Sequence, residues 1–253
     1  MTNLNLFDHY SLRARLQPAL ITLLPMALGV FAWSDPGARW MTALWTTLGT
    51  SGATYLLAIM ARNRGKATEP ALWNSWGGAP TTQLLRHSGP TNPVLRAQWH
   101  ESLANLLRRP LPTAGEEAAD PAGADTVYAA VTRLLINERR DKKAYPLIYN
   151  ENVNYGFCRN LDAQRAVGIG ASIAGVVASL ATGIHFSAGA KVLVLPWVCS
   201  AISFLLLLSW AFIFTATWVK VPAFAYAERL LESSSAQPPT RKARATKGKT
   251  PEG

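Results

Sequence analysis

With 253 residues, 49% of them apolar and only 16% charged, the chain lacks the composition of an ordinary water-soluble domain. Its formal charge of +10 is spread over separate segments, and the longest polar one carries 14 basic against 10 acidic residues, which argues against an obligate nucleic-acid-binding domain. Cys158 and Cys199 belong to no spaced pair, so neither a disulfide framework nor a thiolate metal site is indicated, and both read as reduced structural residues.

Residues 1–15 mix Leu4, Leu6, Phe7, Tyr10 and Leu12 with Arg13 and Arg15, a pattern that suits a short helix at the lipid headgroup level or an ordinary ragged terminus. A charge-free run of 19 residues follows, Leu16 to Ser34. Roughly 20 helical residues cross a hydrocarbon core about 30 Å thick, so this run is long enough for a span. A cleaved signal peptide is its competing reading, because a basic region precedes it and Val30-Phe31-Ala32 resembles a cleavage site. Ser34-Asp35-Pro36-Gly37-Ala38-Arg39 then reads as a tight turn between paired helices.

The second charge-free run covers 22 residues, Trp40 to Ala61, with only Leu44, Leu48, Leu56, Leu57 and Ile59 as strongly apolar members. Their insertion energy of about 1.5–3 kcal/mol must offset many hydroxyls, so this span needs helical neighbours. Thr42, Thr46, Thr50 and Thr54 recur at four-residue spacing, joined by Thr47 and Ser51. Such hydroxyls either bond their own backbone carbonyls or, repeated in several subunits, line a polar and uncharged pore.

Residues 62–165 form a polar insert without strand alternation. Trp73 to Pro80 reads as an aromatic-rich turn, with Thr81 or Thr82 capping a short helix. A helix from about Pro93 to Arg109 stops at Pro110 and Pro112. Thr113 and Glu116 match a capping box, and Asp120-Pro121 opens a helix carrying Val127, Val131, Leu134 and Leu135. Pro146 interrupts that helix, and Leu147 to Ala163 is helical again, leading into the next span.

The third run spans 25 residues, Ala166 to Ala190, with Ala171, Gly175, Ser179 and Gly183 at successive four-residue steps beside Gly168 and Ser172. This ladder of small residues predicts close helix packing, within one protomer or between protomers. The fourth run covers 28 residues, Val192 to Val219, and its fifteen Leu, Ile, Phe and Val residues make insertion favourable by about 5–9 kcal/mol. Its aromatics, Trp197, Phe204, Trp210, Phe212, Phe214 and Trp218, are expected to face lipid, with Trp197 and Trp218, like Trp33 and Trp40, anchoring the interfaces. From Ser233 the composition becomes that of a disordered basic tail, with Arg241, Lys242, Arg244, Lys247 and Lys249 drawn to anionic lipid.

Cations sort the segments. Arg13 and Arg15 precede the first run, Arg62, Arg64 and Lys66 open the insert, Arg159 and Arg165 close it, and Lys220 opens the tail. Arg39 and Lys191 are the lone cations of the short connections, so the arm, insert and tail are expected on the cytoplasmic side.

No nucleophile elbow, Walker loop or His-Glu-x-x-His motif occurs, and His9, His87, His100 and His185 lack metal-ligand spacing, so no catalytic residue, cofactor or metal is expected. The four runs contain no Asp, Glu, Lys or Arg, which disfavours an ion-coupled carrier, whereas a passive pore needs no such group. Arg159, Asn160 and Arg165, together with Arg86 or with Arg139 and Arg140, are candidates for holding an anionic ligand whose arrival moves the third span as a lever. The plainer reading is that Arg159 and Arg165 mark the membrane surface while Asn150, Asn152 and Asn154 satisfy backbone groups.

Two segments carry a resemblance. Trp76-Gly77-Gly78-Ala79-Pro80-Thr81-Thr82 and Asn152-Val153-Asn154-Tyr155-Gly156-Phe157-Cys158-Arg159-Asn160 resemble stretches of an uncharacterised family of bacterial four-span inner-membrane proteins, in which such stretches lie between two hairpins. The layout is more weakly similar to membrane effectors of anti-phage defence, in which a cytoplasmic sensor controls a membrane bundle.

The resulting expectation is an all-α integral membrane protein of the bacterial inner membrane. Its four transmembrane helices form two hairpins, 16–61 and 166–219, around the helical cytoplasmic insert 62–165. An arm, 1–15, and a helix end with a basic tail, 220–253, are also cytoplasmic. The second and third spans would form the central bundle of a homo-oligomer acting as a gated pore or membrane effector. The lipid bilayer and an anionic cytoplasmic ligand or protein partner are the expected partners, and a non-conducting anchor that recruits a cytoplasmic protein is the alternative.

Overall fold

The computed structural model describes residues 9–33, 39–188 and 193–235; between 39 and 50 it describes the backbone and the side chains of residues 43 and 47 alone. Predictions for residues 1–8, for the turn at 34–38, for Lys191, for the tail beyond residue 235 and for the side chains of Thr42, Thr46 and Thr50 lie outside the described residues.

Every regular element among the described residues is helical. A short turn, His9–Ser11, leads into α1, Leu12–Ala32, whose opening turn is π-wound. Helix α2, Arg39–Trp76, runs unbroken for 38 residues, so the predicted boundary at Arg62 falls inside a helix. The aromatic turn expected from Trp73 therefore starts only at Gly77. Gly77 and Gly78 turn the chain with φ of +94° and +128°, values a Cβ would strain. Helix α3, Pro80–Leu85, starts with proline in its first turn, which places Thr81 and Thr82 inside the helix instead of at its cap.

Helix α4, Pro93–Leu107, is capped by Asn92 and ends before Pro110 with Arg108 left-handed. Helix α5, Ala114–Ala119, has the capping box of Thr113 and Glu116, and α6, Pro121–Glu138, is capped by Asp120. Helix α7, Pro146–Ala163, is separated from α8, Arg165–Ala188, by Gln164 alone. Helix α9, Val194–Ile213, and α10, Ala216–Ser235, divide the fourth run, which was expected to continue as one helix through Val219.

The division has a local cause. The last turn of α9, Ser209–Ile213, is π-wound and Phe214 leaves the helical region at φ −77°, ψ 73°. This winding turns carbonyls out of the ladder, and Arg165 donates to two of them, Trp210 O at 3.0 Å and Ala211 O at 2.7 Å.

Three helices among the described residues, α1, α8 and α9, are long and apolar enough to cross a membrane. The hydroxyl-rich start of α2 is not one of them. Helix α8 packs against both α1 and α9, α1 and α9 touch each other, and α2 leans on α1. Small residues make these approaches close. A Cβ on Gly175 would enter the Pro25 backbone, one on Gly29 would come within 3.1 Å of Ala178, and one on Gly168 would fall inside the Trp210 indole.

Helices α3, α4, α6 and α7 assemble around α10, with α5 packed on α6, and α10 contributes Ala227, Leu230 and Leu231 to a core with Leu85, Trp99, Leu103, Tyr128, Val131 and Leu135. Each fully buried Leu or Val here contributes about 1.5–3 kcal/mol. Helices α7 and α10 thus belong to this polar helical unit while leading into α8 and out of α9.

Candidate functional site

Helices α2, α7 and α10 meet at a cavity of about 240 Å³, which Pro80 and Thr81 of α3 and Thr132 and Ile136 of α6 complete. Its charged wall is Glu69 on α2 and Arg159 on α7, and its aromatic wall is Trp73, Tyr155 and Tyr226. The close crossing of α2 over α7 occurs at Gly65, where an added Cβ would meet Asn160 Oδ1 at 2.6 Å and Arg159 Nε at 3.3 Å. One turn further along α2, Glu69 then reaches the ends of Arg159 and Tyr155.

Arg159 Nη1 donates to Glu69 Oε1 at 2.8 Å, and the Tyr155 hydroxyl donates to the same oxygen at 2.6 Å. Arg159 is only 8% exposed and its guanidinium lies 5.4 Å over the Tyr155 ring. Burial lowers the affinity of Arg159 for its proton, but the Glu69 and Tyr155 oxygens outweigh that, so the guanidinium is held more firmly charged than usual. Burial, reinforced by Glu69, drives the Tyr155 hydroxyl well above the ordinary tyrosine value and keeps it a donor. Tyr226 runs nearly parallel to Tyr155, at 6.3 Å and 10°, and burial raises it to about 12.

The arginines singled out in the sequence do not converge on one point. Arg159 lines this cavity, while Arg139 and Arg140 line a neighbouring one of about 180 Å³ that shares Ile136, Asn152, Tyr226 and Leu230 with it. Arg139 also donates to Ser233 O at 3.2 Å and covers the Tyr145 ring, and Arg140 donates to Asn137. Arg86 lies apart, its Nε donating to Asp125 at 2.8 Å and its Nη1 to Gly77 O. Asn160 is buried and donates to Ala14 O at 2.6 Å, which docks the start of α1 on α7. Gln164 at the α7–α8 junction is equally buried, accepting from Thr22 of α1 at 3.2 Å and donating to Asn160 O.

In the apolar helices, Ala171, Gly175, Ser179 and Gly183 lie on the buried face of α8, with Gly183 under the Trp197 ring. Trp210, expected to face lipid, is instead fully buried, because Gly168 leaves room for its indole and Phe214 covers it edge-on at 4.8 Å. Phe212 and Phe204 are exposed. Thr54 is buried with its hydroxyl unpartnered, as are Ser172, Ser179 and Ser203, while Thr47 and Ser51 return their hydroxyls to backbone carbonyls.

A second polar cluster stands on α5 and α6. Glu117 accepts from the His87 backbone N–H at 2.9 Å and the Tyr128 hydroxyl at 2.8 Å, with Ser88 at 3.3 Å. Ser88 has a carboxylate and no imidazole as its partner, and His87 Nε2 is engaged with Pro112 O, so the group lacks a nucleophile–base pair. Cys158, raised to about 12 by burial, is likewise no nucleophile.

Sequence reasoning missed Glu69 and Tyr226. Glu69 had a signal: it is the sole acidic residue between Asp35 and Glu101, set in a stretch opened by Arg62, Arg64 and Lys66. Tyr226 had none, being one aromatic among several past the fourth run. No protein-family model, curated protein or solved structure matches the chain.

Proposed function

We propose that the chain is an integral protein of a bacterial inner membrane, with four spans in two hairpins and with its termini and residues 62–165 in the cytoplasm. It works as an oligomeric gated pore or membrane effector controlled by its cytoplasmic helical unit. One observation carries the reading: both charged residues of the Glu69–Arg159 cavity and all three of its aromatics stand on helices joined to a charge-free run, α2 without a break, α7 through Gln164 and α10 through the two-residue break after α9, while α3 and α6 complete the wall. A change in the cavity therefore bears directly on three of the apolar segments.

The positions of the cations support the orientation, and the hydroxyls of the second run together with the buried serines of α8 and α9 supply polar groups without charge, as a passive pathway requires. The layout resemblance to anti-phage effectors fits a signalled opening.

A non-conducting anchor that recruits a cytoplasmic protein is the second reading. It is favoured by the internal partners that Arg86, Arg139, Arg140 and Arg159 already have, which suit a fixed scaffold. Ion flux from proteoliposomes, with and without cytosolic extract, separates the two. The effector predicts flux that changes with the extract, whereas silence under both conditions leaves the anchor. Thr46→Leu with Thr50→Leu should abolish flux if these residues line the path; unchanged flux removes them from it.

A further inference from the structure

The cavity between α2, α7 and α10 has a balance of charge that selects its occupant. Among its lining residues, Glu69 and Arg159 alone are ionised, one of each sign, and Tyr155 and Tyr226 are held protonated. A ligand with a single charge would give a partly buried space, now balanced, a net charge. A ligand with one charge of each sign does not. Its anion meets Arg159 and its cation meets Glu69, so the balance of one charge of each sign is kept.

The remaining wall fits the cationic end. Trp73 and Tyr226 line the space with Glu69, one face of Tyr155 being already under Arg159, and aromatic side chains beside a carboxylate favour an ammonium group. Both internal bonds to Glu69 fall on Oε1, leaving the lone pairs of Oε2 for a donor. Thr132, which is 8% exposed and lines the same space, has a hydroxyl with no hydrogen-bond partner, and Asn152 adds an amide. The volume of about 240 Å³ is below the range of drug-sized sites, so the occupant is small.

We propose that this cavity binds a small zwitterion, an ammonium at one end and a carboxylate or phosphate at the other. Two sources share that chemistry: a free betaine or amino acid, and the headgroup of an ethanolamine or choline phospholipid. The inference rests on reading the cavity as the control point of the apolar helices, and it names what would occupy it.

Calorimetric titration of the full chain in a sugar-based detergent tests it. The probes are glycine betaine and phosphoethanolamine, with tetramethylammonium and acetate as their separate halves. The zwitterions should bind with Kd on the order of 0.1–1 mM, and about tenfold more tightly than either half. Trp73→Leu and Asn152→Ala should each weaken binding about three- to tenfold, with thermal unfolding as the check that both variants fold. Absence of binding by both zwitterions, equal binding by a half-ligand, or unchanged binding in both variants would overturn the proposal.

Nanodiscs then distinguish the sources. Loss of betaine binding in phosphatidylethanolamine discs but not in phosphatidylglycerol discs assigns the site to a headgroup, and equal binding in both assigns it to a free solute. Because binding is read without flux, a zwitterion that binds a silent protein removes the gating reading and leaves the ligand. Flux that answers to extract in a protein binding no zwitterion does the reverse.

Discussion

Arg159 Nη1 and Glu69 Oε1 lie 2.8 Å apart, and this pair ties α7 to α2 at a point where the arginine is nine-tenths buried. Because a buried guanidinium deprived of its counter-ion keeps its desolvation cost, the pair is worth more broken than its formation contributes.

Glu69→Ala should accordingly lower the stability of the purified chain by about 3–5 kcal/mol, toward the lower end because the Glu69 side chain retains some exposure. The double change Glu69→Leu with Arg159→Met should recover most of that loss, since it removes both charges and refills the space. Thermal unfolding of Glu69→Leu alone, Arg159→Met alone and the double variant gives the cycle. Additive losses would show that the two groups act independently.

Gly168 and Gly170 offer a paired test within α8. A Cβ at Gly168 would overlap the Trp210 indole, whereas one at Gly170 meets nothing within 4 Å. Gly168→Ala should destabilise by about 1–3 kcal/mol through overpacking, and Gly170→Ala should be neutral or slightly stabilising in a helix interior. Equal melting temperatures for the two variants would mean that Trp210 does not occupy the space over Gly168.

How far the sequence foretold this arrangement depends on the range of the interaction. The helix starts at Pro93 and Pro121 and the capping box of Thr113 with Glu116 were legible because each is set by residues within one turn, whereas Pro146, read as interrupting the preceding helix, instead opens the next one. The small-residue ladder was legible as a packing face, but which helices it met was not, because composition does not choose between neighbours. The break after Ile213 was hidden for a similar reason. A uniformly apolar run carries no mark of where it splits, and the group that stabilises the split, Arg165, lies 45 residues away from Trp210 in sequence. Glu69 and Arg159 were also separated by 90 residues, so their charges were visible and their pairing was not.

Arg165 gives a third prediction. Its guanidinium holds the Trp210 and Ala211 carbonyls at the end of α9, and a lysine has one ammonium where the arginine has a fork. Arg165→Met should speed amide exchange over residues 213–219 by about tenfold, and Arg165→Lys by less, while exchange in α4 and α6 stays as it was. Unchanged protection at 213–219 in the methionine variant would show that the break is held by other contacts, the Trp210–Phe214 edge contact first among them.

The fourth prediction concerns acid, and the signs follow from two groups in the helical unit. Burial holds His100 below its ordinary 6.5, against the pull of the Leu85 carbonyl that it bonds. The folded state therefore resists protonation that the unfolded chain accepts, so the stability His100 permits is complete above pH 6.5 and is lost as pH falls through its lower folded value. Burial pushes Glu117 upward, but the His87 N–H, the Tyr128 hydroxyl and Ser88 outweigh it and leave it below its ordinary 4.5. Its contribution is present above pH 4.5 and is lost as pH falls through the depressed folded value. Melting temperatures between pH 8 and pH 3 should thus decline in two steps, one starting near 6.5 and one starting near 4.5. His100→Gln should remove the upper step while the Glu117 bonds, which involve the His87 backbone and not the His100 ring, keep the lower one. A decline that keeps its upper step in that variant would transfer the effect from His100 to another group.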